Sequence, residues 1–155
     1  MCKKAFNRLW MIRRLKPLGA TVEELVEVYQ TQIRCLVEFA VAAWTSGLAK
    51  GQMNQLERVQ KCALAIILQE DYVSYSHAQS SVNLESLQDR RHALCLKFAK
   101  KAQKHPKFGK WFCMNNQTGV DTRSDKKRLK PVQARTVRFE KSPIAYLTRL
   151  LNENQ

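Results

Sequence analysis

The sequence predicts an all-α protein, a small bundle of about four helices with a basic C-terminal tail, and three observations predict it. Apolar side chains recur at three- and four-residue spacing through the stretch 32–68, QIRCLVEFAVAAWTSGLAKGQMNQLERVQKCALAIIL. Gly 5 and Pro 4 are too few for a turn-rich all-β chain, whereas 45% hydrophobic residues are ample for a core. Helix-start signals stand ahead of the periodic segments: Thr21 with Glu24, Ser86 with Asp89, and Ser142 followed by Pro143. A chain of 155 residues reads as one helical domain over 1–112 and a basic, partly disordered linker and tail over 113–155 that ends in a short helix.

The first element is a short amphipathic helix over Lys3–Leu15. Ala5, Phe6, Leu9, Trp10 and Ile12 fall on its apolar arc, with Lys3, Lys4, Arg8 and Arg14 opposite. Pro17 and Gly19 stop it. The Thr21–Glu24 capping box then opens a long helix ending near Trp44, with Val22, Leu25, Val26, Tyr29, Ile33, Leu36 and Val37 on one face. Glu38 lies beside that face, either solvated or paired with Arg34 one turn back. Ser46-Gly47 and Gly51 interrupt the pattern, which resumes with Met53, Leu56, Val59 or Gln60, Ala63, Ile66 and Ile67. The two arms can therefore fold back as a core helical hairpin.

Beyond the polar turn EDYVSYSHAQSS, Ser86 caps a helix running to about Lys104. Leu87, Leu94, Cys95, Phe98 and Ala102 are its inward positions, and Lys97, Lys100 and Lys104 gather on the far side. Arg91 projects on the apolar arc. A snorkelling or paired arginine is favoured there over a phosphate ligand facing a groove. His105-Pro106 ends the helix, and KFGKWF follows as a basic-aromatic patch. The run from Cys113 to Lys130 has almost no apolar content and reads as a mobile linker. Last comes a helix started by Ser142-Pro143 that aligns Ile144, Leu147 and Leu151.

Little in the chain suggests catalysis. The four aspartates, Asp71, Asp89, Asp121 and Asp125, never adjoin one another, and two-metal phosphoryl transfer needs carboxylates converging on paired ions. Glu70-Asp71 reads as a solvated turn. There is no Gly-rich phosphate loop and no GxSxG, and His77, His92 and His105 have no partnered Ser or Cys nearby in sequence. No metal and no cofactor is expected. Cys2, Cys35, Cys62, Cys95 and Cys113 lie roughly thirty residues apart without a CxxC, which predicts reduced, mostly buried thiols in an intracellular protein. The runs FAVAAW and ALAIIL are too short to span a bilayer, and MCKKAF lacks the apolar stretch of a secretory signal, so no membrane partner is expected.

Charge is more informative. Against 13 Asp+Glu stand 27 Lys+Arg, net +14, and the surplus is segregated. Residues 1–50 carry net +4, residues 51–96 net −1, and residues 97–155 net +11. Three basic clusters, Lys3–Lys16, Lys97–Lys110 and Arg123–Lys141, interleave with Trp10, Trp111, Phe112 and Phe139, rings that can stack on bases or sugars. This predicts an anionic, nucleic-acid partner held mainly through its phosphates, since no base-reading signature is present.

The same residues carry a family resemblance. KKAFNRLWMIRRLKPLGAT, VYQTQIRCLVEFAVAAW, SGL, LERVQKCALAIIL, EDYVSYSHA and LESLQDRRHALCLKFAKKAQKHPKFGKWF, in that order over about residues 3–112, resemble the C-terminal portion of reverse transcriptases of jockey-type non-LTR (LINE-like) retrotransposons. The closing RTVRFEKSPIAYLTRLLNE is similar to the way such polyproteins end. The resemblance implies a thumb-like region with its helical extension, which follows the palm and grips the template–primer duplex. Two departures stand out. The family commonly has a proline between the alanine and tryptophan of VEFAVAAW, where this chain has Ala42 and Ala43, implying a straighter helix end. The fingers, the palm with its paired catalytic aspartates, and the N-terminal endonuclease have no counterpart in these residues. The implied product is a polymerase fragment without its own activity, residing in a nuclear or cytoplasmic ribonucleoprotein.

The phosphate-contacting residues expected on this reading are Arg8, Arg13, Arg14, Lys97, Lys100, Lys101, Lys104 and Lys110, with Arg128, Lys130, Arg135 and Arg138 in the tail; the partner is RNA or an RNA–DNA duplex. A rival reading is a helical protein-interaction module that seeks a palm or another protein through an exposed apolar patch, with Tyr29 and Trp44 as its candidates. A third is a truncated element product without a role.

Overall fold

Helix α1 (Cys2–Leu15) opens a computed structural model that describes residues 1–112 and 128–154. The described residues form an all-α protein with no strand and with more helices than the four expected. Their contacts divide into two units, one of residues 1–39 and 49–90, the other of residues 40–48 and 91–155.

In the first unit α1 buries Ala5, Leu9 and Ile12, one turn apart on a single side. Trp10 is 59% exposed, contrary to its expected place on the apolar arc; Lys3, Asn7 and Arg14 share its solvent side at heptad spacing. A 3-10 turn at Lys16–Leu18 carries Pro17, and Gly19 (φ +90°) supplies the left-handed residue that turns the chain. Lys16 Nζ reaches the Ile67 carbonyl, one of the last carbonyls of α5 and so without an intrahelical partner.

Thr21 caps α2 (Val22–Val28) as the sequence predicts. Its Oγ1 accepts from Glu24 N at 3.3 Å, and its own N–H donates to Glu24 Oε2 at 2.8 Å. The helix widens into a π turn at Tyr29–Arg34 and resumes as α3 (Cys35–Glu38). Leu25, Tyr29, Ile33 and Val37 are buried at strict four-residue spacing. On a regular α-helix that spacing drifts by about 40° per step; the wider turn takes up part of the drift and keeps the four on one side.

The long helix expected to reach Trp44 breaks instead at Phe39 and Ala40, where Ala40 adopts φ 51°, ψ 31°. Ala42 and Ala43 thus do not give this end the straight course expected of it. The following helix α4 (Val41–Trp44) belongs to the second unit, so residues 32–44 do not form a single arm of a hairpin. Left-handed geometry costs a non-glycine residue on the order of 1 kcal/mol, and the Ala40 side chain is exposed. Ala40→Gly is therefore expected to stabilise the protein by about 1 kcal/mol, raising Tm by about 4 °C in a thermal melt followed by circular dichroism.

Helix α5 (Lys50–Leu68) starts with Gln52 reaching back to the Ala49 N–H at 2.9 Å, and Gly51 lies in its first turn rather than outside it. It buries Leu56, Val59, Gln60, Ala63, Leu64, Ile67 and Leu68, so both Val59 and Gln60 face inward. Ser74 caps α6 (Tyr75–Ser81), and Ser86 with Asp89 caps α7 (Leu87–Lys104) through two mutual hydrogen bonds of 3.0 and 2.6 Å. The buried Gln60 joins three of these segments. Its Oε1 accepts from Tyr29 Oη at 2.8 Å, and its Nε2 donates to Tyr75 Oη at 3.1 Å and to the Glu85 carbonyl at 2.8 Å. Tyr75 Oη in turn donates to Glu57 Oε1, which also accepts the Leu87 N–H at 3.1 Å. Glu38 is paired rather than solvated, with Arg34 at 3.3 Å and Arg90 at 2.9 Å.

The second unit is built on a core of Val41, Cys95, Ala99, Ala102, Phe112, Leu129, Leu147, Leu150 and Leu151. Helices α8 (Val137–Glu140) and α9 (Pro143–Glu153) begin at Thr136 and Ser142, each hydroxyl accepting a first-turn N–H. The linker expected over 113–130 falls mostly outside the described residues, but its end does not. Leu129 is 1% exposed, and the Asn152 carboxamide accepts its N–H at 2.8 Å and donates to its carbonyl at 3.1 Å. Leu129 is thus part of this core together with Leu147, Leu150 and Leu151 of α9.

Candidate nucleic-acid interface

Helix α7 buries Arg91, Cys95, Ala99 and Ala102. Leu87, Cys95 and Ala102 are inward as expected and Leu94 packs against the core, but Phe98 is 46% exposed and Ala99 is buried in its stead. The opposite side presents Lys97, Lys100, Lys101 and Lys104, all exposed and related by three- and four-residue steps. No Asp or Glu occurs between Arg90 and Phe112, a span with six lysines. Like charges at these spacings destabilise a helix by about 0.2–0.5 kcal/mol per pair. The helix dipole favours cations in the last turn, which accounts for Lys101 and Lys104 but not for Lys97 and Lys100.

Past α7 the chain doubles back. The Gly109 N–H donates to the His105 carbonyl at 2.7 Å, and a Cβ on Gly109 would lie 2.8 Å from the Gln103 carbonyl oxygen, so only glycine fits this close approach. A 3-10 turn at Gly109–Trp111 then drives Phe112 into the core at 5% exposure. Phe112 is therefore an anchor, not the stacking ring the sequence suggests. His105, Phe108 and Trp111 remain exposed, with ring centroids 4.7 Å apart for the first pair and 4.9 Å for the second. Lys110 stands in the same turn.

The other expected phosphate contacts are distributed between the units. In the first, Arg13 and Arg14 are exposed at the end of α1, whereas Arg8 is partly committed, its Nη1 donating to the Gln32 carbonyl at 2.7 Å. In the second, Arg128, Lys130, Arg135 and Arg138 are exposed. Arg128 lines an open groove of about 960 Å³ with Pro131, Thr148 and Arg149, and acidic Glu140 and Glu153 also line it. Two basic groups of the described residues have no acidic neighbour in sequence, the α7 lysines and the α1 cations Lys3, Lys4, Arg13 and Arg14, and of these the α7 lysines gather on one side of a single helix within eight residues.

Arg91 is 4% exposed, and among the described residues no carboxylate pairs with it. Burial pushes the neighbouring Cys95 thiol up from its ordinary pKa, with the Thr45 hydroxyl and Arg91 opposing. Of the described cysteines only Cys95 is buried; Cys35 is exposed and Cys2 and Cys62 are half-buried, so the thiols are not mostly buried as expected. The apolar patch proposed for the interaction-module reading is not formed by its two candidates. Tyr29 is 0% exposed, and Trp44 packs against the second core. Among the described residues no group of three His, Cys, Asp or Glu could hold a metal, and no helix is long and apolar enough to cross a membrane.

No protein-family model, curated protein or solved structure matches the chain. Sequence reasoning located the α7 lysines through their spacing, the basic-aromatic patch KFGKWF, and Trp10 and Trp111 as candidate stacking rings, but it missed the exposure of Phe98 and the burial of Phe112. The consecutive aromatic and basic residues of KFGKWF signal such a cluster; which of its rings turns inward depends on the Gly109 fold-back.

Proposed function

We propose that this chain binds nucleic acid, RNA or an RNA–DNA duplex, through phosphate contacts, and that it corresponds to the thumb-like C-terminal region of a LINE-like reverse transcriptase. The lysine face of α7 carries the reading: four cations on one side of a helix, no acidic residue from 91 to 112, and a local repulsion cost that the helix dipole does not offset in full. The ordered sequence resemblance over residues 3–112 supports the family part of the proposal. On this reading the chain positions a template–primer duplex and does no bond-making itself, and it resides in an intracellular ribonucleoprotein.

Counterion release supplies the test. If about six cations each meet a phosphate, the slope of log K against log salt is about −5, a roughly thousandfold loss of affinity between 50 and 200 mM salt. Titration of a fluorescent hybrid duplex at these two concentrations is expected to give that loss. A flat salt response, or no binding at low salt, would overturn the proposal.

A further inference from the structure

We propose that the ring cluster after α7 is a stacking platform for unpaired bases, so that the second unit takes a single-stranded segment of nucleic acid and not only a duplex backbone. This rests on the nucleic-acid reading above and names the chemistry of the strand.

The first ground is exposure without a packing role. The 105–112 turn is already held by the buried Phe112, by the Gly109 N–H bond to the His105 carbonyl and by the Trp111 N–H bond to the Phe108 carbonyl at 3.0 Å. Phe108 and Trp111 nonetheless stay 38% and 48% exposed. Large apolar rings left in water cost free energy in proportion to their area, and here the turn has its anchor without them.

The second ground is geometry. His105 and Phe108 are inclined by 32° and Phe108 and Trp111 by 51°, so the three exposed rings adjoin without forming a parallel stack. The His105 ring is oriented by the Lys107 N–H, which donates to its Nδ1 at 3.2 Å. On α7 itself Phe98 is also exposed, one turn before the exposed Lys101.

The third ground is charge. Lys101, Lys104 and Lys107 are exposed beside these rings, and no carboxylate lies between residues 90 and 112. An occupant must be anionic and offer flat apolar faces. A single strand offers both, because every base has a π-face and every nucleotide a phosphate; a duplex hides its base faces, and an apolar peptide lacks the charge.

The experiment compares three fluorescent nucleic-acid probes of equal length on the full chain (oligo-uridylate, the same oligomer with abasic sites in place of bases, and a blunt hybrid duplex), with an acidic aromatic peptide as a fourth ligand. The wild-type chain is expected to bind oligo-uridylate about 10- to 100-fold more tightly than the abasic strand. Trp111→Ala is expected to remove that difference while leaving duplex affinity and salt slope unchanged, and Trp111→Tyr to restore most of it. Equal binding of abasic and base-bearing strands by the wild-type chain overturns the stacking platform and leaves the phosphate reading standing. Failure of all three probes at low salt overturns both. A loss of duplex binding equal to the loss of oligo-uridylate binding in Trp111→Ala, or tighter binding of an acidic aromatic peptide than of oligo-uridylate, also overturns the platform.

Discussion

Replacing Lys97, Lys100, Lys101 and Lys104 together by glutamine is expected to weaken binding of a hybrid duplex by on the order of 10³-fold at 0.1 M salt and to flatten the log–log salt slope by about 3.6. Each lost phosphate contact removes about 0.9 from the slope, and at 0.1 M that is close to tenfold in affinity. All four side chains are exposed, so the fold should not suffer. Relief of the four like-charge pairs at three- and four-residue spacing should instead raise the thermal midpoint slightly. Lower affinity with equal or higher stability separates a binding face from a structural one, because a helix that needed its lysines would lose both. The same substitution at Arg128, Lys130, Arg135 and Arg138 is expected to do less, since acidic Glu140 and Glu153 share the groove that Arg128 lines.

What was legible in the sequence was local. Thr21, Ser86 and Ser142 cap the helices they were expected to cap, because a side-chain oxygen and an N–H three residues on need no distant partner. The break at Ala40 was hidden because alanine is the strongest helix former and carries no signal for positive φ. On α1 and α7 the inward sides were legible, with Ala5, Leu9 and Ile12 and with Leu87, Cys95 and Ala102 buried as expected, whereas the large apolar Trp10 and Phe98 stay exposed. On α7 the small Ala99 and Ala102 sit in the core, where their size permits close packing. Leu129 sat in a polar run, and its partner Asn152 lies 23 residues away, so only tertiary structure could join them. For the interface, spacing revealed the lysine side of α7, while the exposure of the rings depended on one glycine.

Gln60→Leu is expected to destabilise the fold by about 3 kcal/mol, lowering Tm by about 10 °C. Leucine fits the apolar surroundings but leaves the Tyr29 hydroxyl, on a side chain 0% exposed, without its acceptor and the Glu85 carbonyl without its donor. An unsatisfied buried group costs about 1–3 kcal/mol. The mechanism, as distinct from simple loss of packing, is tested by adding Tyr29→Phe. Removing both partners of one hydrogen bond is nearly neutral, so the double variant should recover about 1 kcal/mol, and strict additivity of the two losses would refute the account. Alkaline titration gives a second handle. Burial raises the Tyr29 phenol above its ordinary value of 10.0, and burial together with the Glu57 hydrogen bond raises Tyr75. Both groups are protonated in the folded and unfolded chain below pH 10, so their contribution is fully present there. Above it the unfolded chain loses these protons first, and stability falls as pH rises through the folded values. Tyrosinate absorbance from these two residues should therefore appear together with unfolding, and Gln60→Leu should move that transition to lower pH.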